Sequence, residues 1–182
     1  MQISPTGIKL IQHFEGYRDR PYRCPAGLWT IGYGHVMYPE QLRQKIEERK
    51  AYPLAAADNR KFTQEEIHAY LVHELVGYER GVQRLCGSML TQSQFDALVS
   101  FAFNVGLGAL QRSIIRQKIK RSEWKQAADG FLKYINSGGQ VLAGLVRRRQ
   151  AERALFLSRG TRASPESETE TETEDSSSDD LS

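Results

Sequence analysis

Between residues 19 and 36 the chain places Pro21, Pro25, Gly27, Gly32 and Gly34, residues that the interior of an α-helix does not accept. The same stretch holds Leu28, Trp29, Thr30, Ile31 and Tyr33, which suit a strand. A hairpin of 22–24 and 28–31, closed by Pro25-Ala26-Gly27, meets both conditions. Pairing about Ala26 sets Cys24 opposite Leu28, Arg23 opposite Trp29 and Tyr22 opposite Thr30. Side chains alternate along a strand, so Tyr22, Cys24, Leu28 and Thr30 share one face. Cys24 and Thr30 are then diagonal neighbours, ~7–8 Å apart or a little less at Cβ.

The rest of the chain reads as helix, because a capping residue repeatedly stands just ahead of an apolar periodicity. Ser4 caps a helix with Pro5 in its first turn and Ile3 stapled onto Ile8, running to Gly16. Thr63 and Glu66 form a capping box before Ile67, Tyr70, Leu71, Leu75, Tyr78, Val82 and Leu85. Thr91 and Gln94 repeat the device before a helix apolar nearly all round, which predicts a central, buried position. A fourth helix is expected to begin at Ser122 and stop at the loop 136–139, and a fifth to cover 142–158 before Gly160. Residues 37–61 are polar, contain Pro39 and Pro53, and predict a helical piece plus a loop, with no functional reading attached.

Charge divides the chain in two. Eight of its 22 acidic residues fall in 163–182, which has no basic residue; the remaining 14 face all 25 Lys and Arg, a surplus of 11. The tail lacks aromatic and β-branched aliphatic residues and is expected to be disordered, leaving 1–162 as one domain with its own core. Its longest apolar-dense run, 97–110, is too short to span a membrane, and the start MQISPTGIKLIQHFEG lacks the apolar core of a secretory signal. Cys24 and Cys86 are too few for a disulfide framework and default to free thiols, with a Cys24–Cys86 bond as the alternative. His68 and His73, five apart, miss a helical metal pair, and no cofactor is expected.

One residue of the first helix breaks its pattern. Ile8 and Ile11 define an inward face, and Glu15 continues it at i+4 and i+7, so a carboxyl sits at the end of an apolar stripe. Desolvation there favours the protonated form, the property a general acid needs. The alternative is a carboxylate that swings to solvent or pairs with an arginine.

Glu15, Cys24 and Thr30, with eight and then five residues between them inside EGYRDRPYRCPAGLWTIGYGH, resemble the catalytic triad of the phage-type lysozymes, glycoside hydrolase family 24. The resemblance resumes in LTQSQFDALVSFAFNVG, in the AAD-x-F helix and in GLVRRRQAERALF, which are close to the lambdoid endolysin pattern. It spans nearly all of residues 3–157. It implies an α+β, mainly helical lysozyme-like fold, with a small β-hairpin lobe and a larger helical lobe. It also implies a muramidase that hydrolyses the β-1,4 bond between N-acetylmuramic acid and N-acetylglucosamine in peptidoglycan. Glu15 is then the general acid, Cys24 (Asp in many relatives) orients or activates water or acts as nucleophile, and Thr30 holds the water.

The resemblance further carries His35, Phe103, Asn104 and Ser113 over as saccharide contacts. Arg148 is carried over as the arginine that clamps the glutamate, with Arg147 and Arg149 as alternatives. It implies a monomer held in the host cytoplasm until a holin, the phage membrane protein that opens the inner membrane, releases it to the wall, with no nucleic-acid partner and no stable membrane insertion. The insert 37–61 is longer than usual, Tyr134 replaces a tryptophan and Gln140 replaces a lysine. Two other readings stand beside this one. A chitin- or chitosan-cleaving relative would share the chemistry. A basic protein binding nucleic acid or anionic membrane is motivated by the surplus and by six basic residues in 112–125.

Overall fold

The structure, a computed structural model, describes residues 1–158; the acidic stretch 163–182 and the helix stop expected at Gly160 lie outside the described residues. The first three expected helices form where their caps place them. In α1 (Pro5–Glu15) Ser4 accepts the Gly7 amide at 3.4 Å. Both capping boxes close reciprocally: Thr63 with Glu66 ahead of α3 (Gln64–Cys86), and Thr91 with Gln94 ahead of α4 (Gln92–Val105). As its composition predicts, α4 is the buried centre, with Phe95, Leu98, Val99 and Phe101 fully enclosed. α8 (Ala143–Leu157) packs along it, and α7 (Trp124–Phe131) packs on α8.

The Pro/Gly-rich stretch forms an antiparallel sheet of β1 (Arg18–Arg23), β2 (Trp29–Gly32) and β3 (His35–Val36), in that order. Its register pairs Tyr22 with Thr30 and Arg23 with Trp29, and the Cys24 amide donates to the Leu28 carbonyl at 3.0 Å, the expected pairing about Ala26. β1 starts earlier than expected and runs through Pro21. It can do so because it is an edge strand whose register shifts between Arg18 and Tyr22, where no ladder bond is asked of the proline.

Two cores result. The larger joins α1, α4, α7, α8 and most of α3; the smaller holds Ile31, Phe62 and Ile67 beneath the sheet. α3 belongs to both, burying Ile67 in one and Leu71, Leu75, Val82 and Leu85 in the other. Gly32, at φ +63°, lets the sheet come down onto this helix, since a Cβ there would stand 2.5 Å from Ile67 Cγ2.

Residues 37–61 fold as 3₁₀ turns at Pro39–Arg43 and Ala56–Asp58 around α2 (Ile46–Ala51), and they brace the hairpin. Buried Gln41 accepts the Trp29 amide at 3.0 Å, while Arg23 donates to the carbonyls of Gly27, Arg49 and Tyr52. Trp29 Nε1 donates to Tyr52 O at 3.0 Å.

Several local expectations needed correction. Ser122 does not start a helix: it sits at φ +58° in the tight turn after Lys120, and α7 begins at Trp124 behind Glu123. Two short helices, α5 (Leu107–Arg112) and α6 (Ile114–Lys120), fill a stretch where none was expected. They are too short to stand on propensity, and burial of Leu110, Ile115 and Ile119 supplies the stabilisation. The loop 136–139 is the turn of a second hairpin, β4 (Asn136–Ser137) with β5 (Gln140–Val141), closed by Gly138 and Gly139 at φ +58° and +79°.

Candidate active site

Glu15 is the last residue of α1, and Gly16 at φ +73° turns the chain away immediately after it. The helix itself is pinned to α4: the Ser4 amide donates to Asp96 Oδ1 at 2.9 Å, its hydroxyl donates to Asp96 Oδ2, and Gly7 leaves no room for a Cβ against Ile3 and Asp96. The carboxyl is thereby delivered to a cavity of about 470 Å³ walled by His13, Phe14, Asn104, Leu142, Leu145 and Arg148.

Of the three candidate arginines, Arg148 meets the glutamate. Its Nη1 donates to Glu15 Oε1 at 2.5 Å. Arg149 turns inward and donates to Asn104 Oδ1 at 2.9 Å, while Arg147 is exposed at the cavity rim. Arg148 is 4% exposed at the side chain and Glu15 is 22% exposed, so the clamp is sheltered while the carboxyl still faces the cavity. Because Arg148 occupies Oε1, Oε2 is the oxygen left to face a ligand.

Behind Arg148 lies a layer that the sequence reading missed. Glu152, fully buried on α8, accepts at Oε1 from Ser100 Oγ (2.8 Å), Arg148 Nε (3.1 Å) and Arg149 Nη2 (3.1 Å). Arg149 Nε lies 2.8 Å from Glu152 Oε2 without the alignment of a hydrogen bond. Burial pushes the Glu152 carboxyl up, against the pull of Arg149, Arg148 and the Ser100 hydroxyl. The available signal was weak: Arg148, Glu152 and Phe156 recur at i, i+4 and i+8, an inward stripe on which charged residues read as surface.

On the hairpin side, the Tyr22 hydroxyl is pushed up first by burial, against Arg18, and then by its proximity to Cys24 and Glu15. All three groups therefore lie within electrostatic reach of one another. Tyr78 on α3 is likewise raised by burial, and then by Glu74 and Glu15. Neither tyrosine was singled out beforehand. Cys24 is a half-buried free thiol just past the end of β1. Thr30 is 2% exposed and donates its hydroxyl to Leu28 O at 3.1 Å, which leaves its lone pairs to accept. Cys86 is also free, so no Cys24–Cys86 bond is present; burial pushes its thiol up to about 11.

The remaining expected contacts divide. Asn104 reaches the Glu15 cavity, and Phe103 beside it is half-buried with its ring centroid 5.2 Å from that of Tyr78. His35 lines a separate cavity with Met37 and Tyr70, where its Nδ1 lies 2.5 Å from Glu74 Oε1 and its ring stacks on Tyr70. It ties β3 to α3. Ser113 is fully buried, donates to Leu110 O at 2.7 Å and caps α6 through the Arg116 amide at 3.0 Å. Ser113 thus makes its contacts as a helix cap within the helical lobe, away from the residues that wall the Glu15 cavity.

The phage lysozyme family profile matches residues 12–152. The chain is 43% identical over 160 residues to an endolysin of Bacillus phage B103, covering 87% of this chain but only 55% of that relative. Among solved structures, a P22 lysozyme variant superimposes with a TM-score of 0.73 at 32% identity, covering 87% of this chain and 99% of that one. The muramidase domain of SpmX from Asticaccaulis excentricus gives 0.70 at 34% identity, with 86% and 98% covered. The sheet lobe, the helical lobe and the long helix between them are thus shared with lysozymes, and the chain belongs to the phage lysozyme family.

Proposed function

We propose that this protein is a phage endolysin, a muramidase that hydrolyses the β-1,4 bond between N-acetylmuramic acid and N-acetylglucosamine in peptidoglycan. The observation that carries the reading is Glu15, held through one oxygen by Arg148 at the wall of an open cavity, beside the hairpin that bears Cys24 and Thr30. Glycoside cleavage needs a proton delivered to the leaving oxygen and stabilisation of an oxocarbenium-like transition state. The Oε2 of protonated Glu15 delivers that proton, and Arg148 stabilises the carboxylate left behind. Cys24, as the thiolate, activates water or attacks the anomeric carbon, and the Thr30 oxygen accepts from the water. Asn104 offers its amide N–H groups to the sugar, its Oδ1 being held by Arg149.

The surplus of 11 positive charges suits a polyanionic wall, towards which long-range attraction concentrates the enzyme. Among the described residues no helix is long and apolar enough to cross a membrane, and a holin is the proposed route to the wall. Glu15→Gln tests the reading: clearing of permeabilised Gram-negative cells should fall at least ~100-fold with the circular dichroism spectrum unchanged. Full activity in that variant overturns it. Purified peptidoglycan against N-acetylglucosamine polymers separates the muramidase from a chitin-cleaving relative. The anomer released distinguishes an inverting site, with groups ~6.5–9.5 Å apart, from a retaining one at ~5–5.5 Å.

A further inference from the structure

Arg148 is shared. Its Nη1 donates to Glu15 Oε1, its Nε to Glu152 Oε1 at 3.1 Å and its Nη2 to Ser100 O at 3.3 Å, so one guanidinium bridges two carboxyls of different exposure. Glu152 is fully buried and surrounded by donors alone: Arg148 and Arg149 from its own helix and the Ser100 hydroxyl from α4. Glu15 is faced by Arg148 from α8, with Arg149 within electrostatic reach, by Tyr22 and Cys24 from the hairpin and by Tyr78 from α3, and His13 and Arg147 line the same cavity. The same Glu152 oxygen also holds Arg149, which holds Asn104 at the cavity wall.

We propose that Glu152 is a positioning residue that draws part of the Arg148 charge away from Glu15 and thereby keeps Glu15 able to hold the proton it donates, with the Ser100 hydroxyl tempering that draw. A full guanidinium charge on Glu15 alone would favour the carboxylate and discharge the general acid. With Glu152 as a second acceptor, Arg148 is fixed in direction by three acceptors while its charge is divided between two anions. Glu152 touches neither sugar nor water and acts only through Arg148 and Arg149. This inference rests on Glu15 being the general acid.

The test is the pH dependence of kcat on soluble peptidoglycan fragments for wild type, Glu15→Gln, Glu152→Gln and Ser100→Ala. The basic limb reports loss of the acid's proton. In Glu152→Gln the whole Arg148 charge falls on Glu15, and the limb moves to lower pH by about one unit, the low end of what an adjacent opposite charge produces. kcat falls at neutral pH, and KM changes less than about threefold.

Ser100→Ala removes one neutral donor from the oxygen that Arg148 Nε uses and leaves all four charges in place. Glu152 then takes a larger share of Arg148, and the limb moves the other way, to higher pH. This second variant carries the test if Glu152→Gln does not fold, because it only trims a buried hydroxyl. A merely structural Glu152 lowers the melting temperature and leaves both limbs where they are, and that result overturns the proposal, as does a Ser100→Ala limb moved downward. The two ideas fail separately: an active Glu15→Gln refutes the general acid, whereas an inactive Glu15→Gln with unmoved limbs in the other variants refutes only the sharing.

Discussion

The close approach of the sheet to α3 makes Gly32→Ala an informative perturbation. Two costs apply at that position. A side chain at φ +63° is strained by about 1–3 kcal/mol. Its Cβ would also stand 2.5 Å from Ile67 Cγ2 within the smaller core, an overpacking that costs about 1–3 kcal/mol more. Together they come to about 4 kcal/mol. At about 2–4 °C per kcal/mol for a domain of this size, the melting temperature falls by about 8–16 °C.

Gly34 separates the two costs, because it has φ +99° and nothing within 4 Å of a built Cβ. Gly34→Ala should carry the strain alone, about 2 kcal/mol and about 4–8 °C. Ile67→Leu removes the Cγ2 that Gly32→Ala would strike, so the double variant should be less destabilised than the two single losses added together, by about 1–3 kcal/mol. The assay is thermal and urea unfolding of the four variants followed by circular dichroism. Equal losses for Gly32→Ala and Gly34→Ala, with no coupling to Ile67→Leu, would refute the claim that the sheet is seated on this helix by the missing side chain.

Two further outcomes follow from the same geometry. Arg60, joined by the Thr63 amide, holds the Glu66 carboxyl down at about 2 against 4.5 for a free one. Its stabilising contribution is therefore complete above pH 4.5 and lost as pH falls through about 2. Melting temperatures of wild type and Glu66→Gln should converge across that window, and a gap that widens toward low pH contradicts the pairing. Ser113→Ala should lose about 1 kcal/mol of stability through the missing cap of α6, with KM for peptidoglycan unchanged. A raised KM at unchanged stability would instead assign Ser113 to the sugar.

The parts of this protein that were legible in its sequence are those whose causes lie within a few residues. A capping box needs only Thr63 and Glu66, or Thr91 and Gln94, and both formed where the pattern placed them. The hairpin register needs only the two strands and the turn at Pro25-Ala26-Gly27, and it set Tyr22 against Thr30 as read. The spacing of Glu15, Cys24 and Thr30 belongs to the same local order. Where a local signal failed, a neighbour had outweighed it. Ser122 looks like a cap but is bent to φ +58° by the reversal after α6, and α5 and α6 exist because the core takes Leu110, Ile115 and Ile119.

Only tertiary structure decided which arginine meets Glu15. Arg147, Arg148 and Arg149 are chemically equal and follow one another at about 100° around a helix, so the choice depends on how α8 is rotated against α1 and α4. That rotation buries Arg148 and Arg149 and leaves Arg147 outside. It also brings Ser100 and Glu152, 52 residues apart, into one hydrogen-bonded cluster. No local pattern announces such a cluster, because a serine on a buried helix and a glutamate in an arginine-rich one each read as ordinary until the two helices are in contact. The residues proposed for the chemistry are thus written in local order, while the charged cluster behind them was assembled by packing.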